Sequence, residues 1–553
     1  MASLRARVGS FSGPELAVFV SGVASMGLEI LAGRLVAPQF GSSIYTWGSI
    51  IGIFLAALSL GYHLGGKRAA ERASGERLVW LLVGTAAYVA LVVFASDVLL
   101  ATAAAVPLPG RFASVPAVTL LFGPPTYLLG FISPYAAELS GTEGVGEASG
   151  HVYAVGTVGS IVGAFGTTFV LIPELSVEAI GVGFGLLLVG TALWLARGTD
   201  RREPTVASVA VALLVVGAGV TGTLGVSVGG PVLYHTQTPY QELEVTQLGD
   251  VRTLYLDGQP HSAMDVSDPD RHVFDYTRYF HLSLLMTEDV DRVLFVGGGG
   301  FTGPKHFAAE YDVTVDVAEI DPAVIRTAKR YFRLEESENL NVYNVGGRQF
   351  LQETNRTYDL IVLDAYKKDK VPFQLTTVEF MRLAESRLDE DGVLFANLIS
   401  APGGPASKFY RAEYKTMARA FPQVYTFPTA PGNAVQNVEV IATKRDERLT
   451  ERTLQRRNDR RDVGIDLRRE ISRYRSSPPT DDVPVLRDDR APVDALLDPM
   501  VGRRYVVQRT TENETPTARP AATAGLPTTP SLVGQYHKKR RRTLSPRGDG
   551  IPA

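Results

Sequence analysis

Cysteine is absent from the chain. Its absence excludes disulfides, thiolate metal sites and cysteine nucleophiles, and it leaves the redox compartment unreadable. Histidine is sparse, and His261 and His281 have no ligand partners at metal spacing, so no metal site is expected. No serine sits in a Gly-x-Ser-x-Gly elbow, which removes the usual nucleophilic triad. A strong net charge is also missing: the formal value is −3. No folded motif points to nucleic acid, and no such partner is expected. The charge is segregated, with an apolar first part, a mixed middle and a basic end.

Long apolar runs are abundant. Between Pro14 and Val228 they recur at about twenty residues or more, enough to cross roughly 30 Å of hydrocarbon as helix. The expected spans are 14–37, 43–66, 78–106, 112–139, 149–173, 175–196 and 205–228. The first is too long and too lightly charged for a cleaved signal peptide, and more spans follow it. An integral membrane protein is expected. Arg5 and Arg7, then Lys67, Arg68, Arg72 and Arg77, then Arg197, Arg201 and Arg202 all favour cytoplasmic ends. Seven full crossings would leave the rest of the chain outside, where a nucleotide-derived ligand is scarce. We therefore expect a cytoplasmic soluble domain, with either an incomplete crossing at 205–228 or a miscount within 78–106 and 112–139, where Pro124, Pro125 and Pro134 fall. Ionisable groups within spans are costly and often functional. Glu29, Arg34, Asp97, His63 and Glu138 are expected mainly to snorkel or to pair between helices. Gly156, Gly159, Gly163 and Gly166 recur at a spacing suited to close helix packing.

Beyond Val232 the pattern changes. Gln241–Gln247 and Arg252–Asp257 read as two strands of a hairpin around Gly249 and Asp250, followed by a helical stretch from Val273 to Met286. The apolar strand Val293–Val296 then runs into Gly297, Gly298, Gly299 and Gly300, and about twenty residues later comes Ala318-Glu319-Ile320-Asp321. An apolar strand turning on glycines into a helix can cradle a nucleotide, and an acidic residue after the next strand can accept hydrogen bonds from ribose hydroxyls. The later strand Tyr358–Leu363 ends in Asp364 on the same sheet edge. Helices at Ala323–Tyr331 and Thr377–Arg387 and strands at Val393–Leu398 and Val438–Ala442 complete a doubly wound, parallel α/β pattern. The glycine run lacks G-x-G-x-x-G spacing. On spacing alone, a nicotinamide dehydrogenase and an S-adenosylmethionine-type enzyme both remain open. Lys444–Arg475 reads as a solvated helix or insert. The chain beyond about Arg509 reads as disordered, with Lys538–Arg542 able to touch anionic lipid.

The sequence resembles the spermidine synthase (aminopropyltransferase) family in its membrane-fused form. The likeness runs through Tyr240-Gln241, Leu256-Asp257-Gly258, the glycine strand, Glu319-Ile320-Asp321-Pro322, Tyr358–Asp364, Leu388–Leu394 and Asp488–Val493. Glu29–Arg34 and Gly41–Gly48 also resemble that subgroup. The resemblance implies a polytopic α-helical membrane domain (1–230), a small β-region with a connecting helix (231–290), a Rossmann-like, class I methyltransferase-type domain with a charged insert near 444–480 (291–508), and a basic tail (509–553). It implies a donor, decarboxylated S-adenosylmethionine or S-adenosylmethionine itself, lying over Gly297, Gly298 and Gly299. Glu319, Asp321 and Gln241 would bind that donor, and no permanent cofactor is implied. Tyr240, Tyr276 and His261 would line the substrate site, and Asp364 would take a proton from an attacking amine. Membrane lipids, a small amine acceptor and a second copy of the chain are the implied partners.

Several positions depart from the family pattern. Gly300 and Gly346 stand where the family usually has aspartates, and Ala365-Tyr366-Lys367-Lys368 replaces Ser-Ser-Asp-Pro. Tyr276-Thr277-Arg278 replaces a Tyr-His-Glu or Tyr-Gln-Glu element, and His261 aligns with a glutamine. Acidic groups are lost and cations gained where a cationic amine should approach. The expected function is aminopropyl transfer to an amine. The alternatives are methyl transfer from S-adenosylmethionine, or a non-catalytic membrane protein with a degenerate nucleoside-binding domain.

Overall fold

The computed structural model describes residues 12–40, 43–106, 108–140, 145–197, 202–222, 230–368, 370–501 and 503–510. Arg5, Arg7, Arg201, the side chain of Asp97 and the basic run Lys538–Arg542 lie outside them. The chain divides into two compact units, Met1–Val228 with Tyr234–Glu244, and Gly229–Leu233 with Val245–Ala553.

The first unit is helical: α1 (Gly13–Phe40), α2 (Ile44–Arg72), α3 (Gly75–Ala104), α4 (Ser114–Leu139), α5 (Val145–Gly166), a π-helical turn Thr167–Leu171 leading into the single turn α6 (Ile172–Glu174), α7 (Val177–Ala196) and α8 (Glu203–Gly222). Six stretches are long and apolar enough to cross a membrane, and the described apolar part of α8, Glu203–Ala218, is shorter. Pro124, Pro125 and Pro134 all fall inside α4, so the stretch 112–139 holds one long helix. A bundle tolerates this because neighbouring groups can satisfy the freed carbonyls. α3 is two helical stretches joined by a kink at Ala95, where the backbone is non-helical.

The helices alternate in direction. α1 and α5 run parallel: Glu15 bonds His151 at 2.6 Å near their starts. Further along, a Cβ on Gly159 or Gly163 would lie 2.2 or 2.3 Å from the carbonyl oxygen of Phe19 or Val23. Gly166, expected to share that role, has nothing within 4 Å. α2 and α4 are also parallel, with Ser114 Oγ donating to Ser49 Oγ at 3.1 Å and Gly130 against Gly61. α7 opposes α1, since Gly13 meets Trp194 and Leu195 while Gly27 meets Phe184. Lys67, Arg68, Arg72, Arg77 and Arg197 therefore gather at one end, and Arg34 lies toward the other. Arg34 does not pair with Glu29. Its Nη2 donates to the carbonyls of Thr238 (2.9 Å) and Pro239 (3.1 Å). His63 and Glu138 are exposed.

The second unit contains a seven-stranded sheet in the order β10-β11-β9-β8-β5-β6-β7. These strands are β5 (Arg292–Val296), β6 (Thr314–Ala318), β7 (Leu340–Tyr343), β8 (Tyr358–Leu363), β9 (Leu388–Ser400), β10 (Gln423–Pro428) and β11 (Gln436–Thr443). β5 to β9 are mutually parallel, while β11 pairs antiparallel with β9 and with β10. Val293–Val296 and Leu360–Leu363 are wholly buried, as strands covered on both faces must be. The crossovers are α10 (Thr302–Glu310), α11 (Pro322–Tyr331), α12 (Gly347–Glu353), α13 (Val378–Ser386) and α14 (Lys408–Met417). The expected hairpin belongs to a four-stranded sheet, β1 (Val232–Gln237), β2 (Glu242–Leu248), β3 (Val251–Leu256) and β4 (Gln259–Asp265), in sequence order.

Two expectations need correction. Val273–Met286 is not one helix but a short α9 (Tyr276–Tyr279) followed by a 3₁₀ segment, Phe280–Leu285, whose side chains are all buried. The charged insert is not merely solvated. Its helix α15 (Glu451–Arg460) and the chain after it bury Leu454, Val463, Leu467 and Ile471. Arg457 and Arg461 donate to the carbonyls of Leu285 and Leu284, each at 2.9 Å, so the arginines cap the open end of the 3₁₀ segment.

Candidate active site

β5 leaves the sheet into Gly297, whose φ of +95° favours glycine. A Cβ there would also lie 2.5 Å from the carbonyl oxygen of Asp364, so the glycine lets the ends of β5 and β8 touch. Asp364 N donates to Val296 O at 2.9 Å. One strand over, Glu319 leaves β6 and folds back onto the turn. Its Oε2 accepts from Gly298 N and its Oε1 from Asp321 N, both at 2.8 Å. Each oxygen keeps a lone pair for a further donor such as a ribose hydroxyl. Burial raises the Glu319 pKa, and the amides of Asp321, Gly298 and Gly299 work against that rise. Asp321 caps α11 by accepting from Ala323 N at 2.9 Å. Gly297, Gly298, Gly299, Glu319, Asp321 and Asp364 are thus brought together at the carboxyl ends of adjacent strands, where open α/β sheets bind ligands.

Asp364 follows directly from the end of β8. Burial pushes its pKa up to about 7, opposed by a hydrogen bond from Asn397 Nδ2 at 2.8 Å and reinforced by the charge of Glu319. Tyr276, buried beside it, donates its hydroxyl to the carbonyl of His261 at 2.9 Å. His261 is pushed down to about 3 by desolvation and by the Lys367 cation. Tyr240 and Gln241 lie between β1 and β2 in the segment that belongs to the helical unit. Tyr240 is 39% exposed, and buried Gln241 donates its backbone N–H to Thr238 Oγ1 at 3.0 Å.

Two of the cations that replace family residues are paired within the fold. Lys367 pairs with Asp257 at 2.6 Å, and Arg278 pairs with Glu470 at 2.7 Å. Gly300 has a steric reason. Its N–H donates to Ser262 Oγ at 2.9 Å, and a Cβ there would come within 2.8 Å of Ser262 Cβ. An aspartate at this position would require β4 to shift. Gly346 has no such constraint, since its nearest neighbour would be Ile320 Cδ1 at 3.7 Å.

Asn397, Asn437, Glu439, Ser262 and Tyr505 also belong to this neighbourhood and were not singled out from sequence. For Asn397 and Glu439 a signal existed: each is a polar residue interrupting an apolar run, Val393–Ile399 in β9 and Val438–Ala442 in β11.

Residues 274–444 match the Spermine/spermidine synthase domain family. The polyamine aminopropyltransferase of Vibrio vulnificus is 32% identical over 221 residues, covering 38% of this chain and 72% of its own. The chain belongs to the spermidine synthase family. The aminopropyltransferase likeness extends further in one relative, polyamine aminopropyltransferase 2 of Aquifex aeolicus, 20% identical over 445 residues, 75% of this chain and 85% of that one. A match of that length cannot fit within the Rossmann-like half alone. The crystal structure of the spermidine synthase from Thermotoga maritima is similar over 39% of this chain and 73% of its own, at 20% identity and a TM-score of 0.32. Among the described residues no group of three or more histidines and carboxylates is placed to hold a metal.

Proposed function

We propose that the protein transfers an aminopropyl group from decarboxylated S-adenosylmethionine to an amine acceptor. The observation that carries this reading is the contact between the Gly297 turn and Asp364, with Glu319 on the adjoining strand end. In this reading the adenosyl part of the donor lies over Gly297, Gly298 and Gly299, with its ribose at Glu319 and Asp321 beside it. The acceptor's free amine attacks the methylene carbon next to the sulfonium. That carbon–sulfur bond breaks, its electron pair stays on sulfur, and methylthioadenosine leaves. Asp364 takes the proton that the ammonium must lose. A base with a pKa near 7 suits that task, and Tyr276 and His261 are the proposed acceptor contacts. The ion pairs Lys367–Asp257 and Arg278–Glu470 support the reading, because they cancel the added cations that would repel a polyamine.

Ser262 favours a second reading. It occupies the space of the family's missing aspartate, as expected of a nucleoside-binding module that no longer catalyses. Mass spectrometry of the purified protein given both S-adenosylmethionine and its decarboxylated form, with a pool of polyamines and lipids, separates them. Methylthioadenosine that depends on Asp364 is the expected product. S-adenosylhomocysteine would mean methyl transfer, and neither nucleoside would favour the silent module.

The division we propose is a membrane domain at 1–230, a β-region at 231–290 and a catalytic domain at 291–508, in contact with lipid through the first and paired with a second copy. We place the catalytic domain in the cytoplasm, because the donor is made there.

A further inference from the structure

The segment Arg503–Thr510 is stitched into the catalytic unit on two sides. Val506 N donates to Val435 O at 2.9 Å, at the start of β11. Asp275 N donates to Gln508 O at 3.0 Å and Thr510 N to Val273 O at 3.1 Å, at the entry to α9. This strap delivers Tyr505 to the sheet face behind Asp364. The Tyr505 hydroxyl donates to Asn437 Oδ1 (2.7 Å), Asn437 Nδ2 to Asn397 Oδ1 (2.7 Å), and Asn397 Nδ2 to Asp364 Oδ1 (2.8 Å). Every donor in the row points toward the carboxylate, so each bond polarises the next in the sense that favours the anion.

We propose that Tyr505 is a positioning residue for Asp364, acting through Asn437 and Asn397 to fix the carboxylate's orientation and to favour its ionised form. The inference rests on the aminopropyl-transfer reading only for calling Asp364 the base. It concerns a residue beyond the 274–444 match to the family. The groups facing Asp364 make such support necessary. Glu319 comes from the end of β6, Tyr276 from α9, Glu439 from β11 and Tyr505 from the strap. Glu439 lies opposite Asn397 in register, fully buried, and neither of its carboxyl oxygens has a hydrogen-bond partner. With no cation in this group, Asn397 is the one side chain recorded as donating to Asp364 among the described residues.

The test compares wild type, Tyr505→Phe and Asn437→Leu in the full-length protein in lipid nanodiscs. Two readouts are taken. The first is infrared titration of the Asp364 carboxyl band, assigned by its loss in Asp364→Asn. The second is the pH profile of transfer. Tyr505→Phe keeps the ring, so packing is preserved while the hydroxyl is lost. The expected result is an Asp364 titration moved up by about half a pH unit. kcat at neutral pH should fall about three- to tenfold with KM little changed, and the deficit should close at alkaline pH. Asn437→Leu should move the band in the same direction. An unmoved band, or a rate lost equally at every pH, overturns the proposal. A band that moves in a protein without transfer activity overturns the transfer reading and leaves the relay standing.

Discussion

On the proposed reading two demands meet at Asp364: the carboxylate has to be available as a base, yet it sits where charge is costly. Its pKa of about 7 has a sign that can be worked out. A carboxyl raised above its unfolded value binds more protons when folded, so its contribution to stability is present at low pH and is lost as pH rises through the folded value. Asp364→Asn should therefore gain thermal stability relative to wild type as pH passes from about 5 to 8. The same substitution should lower transfer about 10²- to 10⁴-fold. Parallel melting curves and rates over that pH range check both, and a stability difference independent of pH would refute the burial argument. Gly297→Ala acts through the backbone instead. At a φ of +95° and 2.5 Å from the Asp364 carbonyl, it should cost about 1–3 kcal/mol from conformation alone. Chemical denaturation would measure it.

Among the elements, β5 and β8 with their strand-end residues were legible in the sequence, because Val293–Val296 and Leu360–Leu363 are apolar runs followed by glycine or aspartate, whereas β1, β4, β7 and β10 carry no such run and were not expected. The strap was not legible, because Tyr505 reaches its partner only through tertiary pairing with Val435, which no local pattern encodes. The 3₁₀ segment Phe280–Leu285 escaped for a related reason: its helical periodicity is overridden by burial on all sides. The helix pair α1 and α5 gives a paired prediction. Gly163→Val should destabilise the bundle, since its Cβ would meet the Val23 carbonyl at 2.3 Å, whereas Gly166→Ala should be neutral. Thermal melts of the two variants in the same detergent are the check. A melting point lowered equally in both would mean that the backbone contact is not what holds the pair.

For the whole molecule, the proposed membrane anchoring and cytoplasmic placement make a testable pair. A chain without cysteine permits a clean test, since each introduced cysteine reports alone. With the domain in the cytoplasm, Glu335→Cys, at an exposed position, should resist an impermeant maleimide in intact cells and react once they are opened. Labelling in intact cells would move the domain outside. The strap has a further consequence in time. Residues 503–510 are made after every strand of the sheet, so at about 5–20 residues per second a nascent chain holds a complete sheet for seconds before Tyr505 arrives. On the proposed reading, a chain that stops short of Tyr505 would keep the direct bond from Asn397 to Asp364 and lose only the far end of the row.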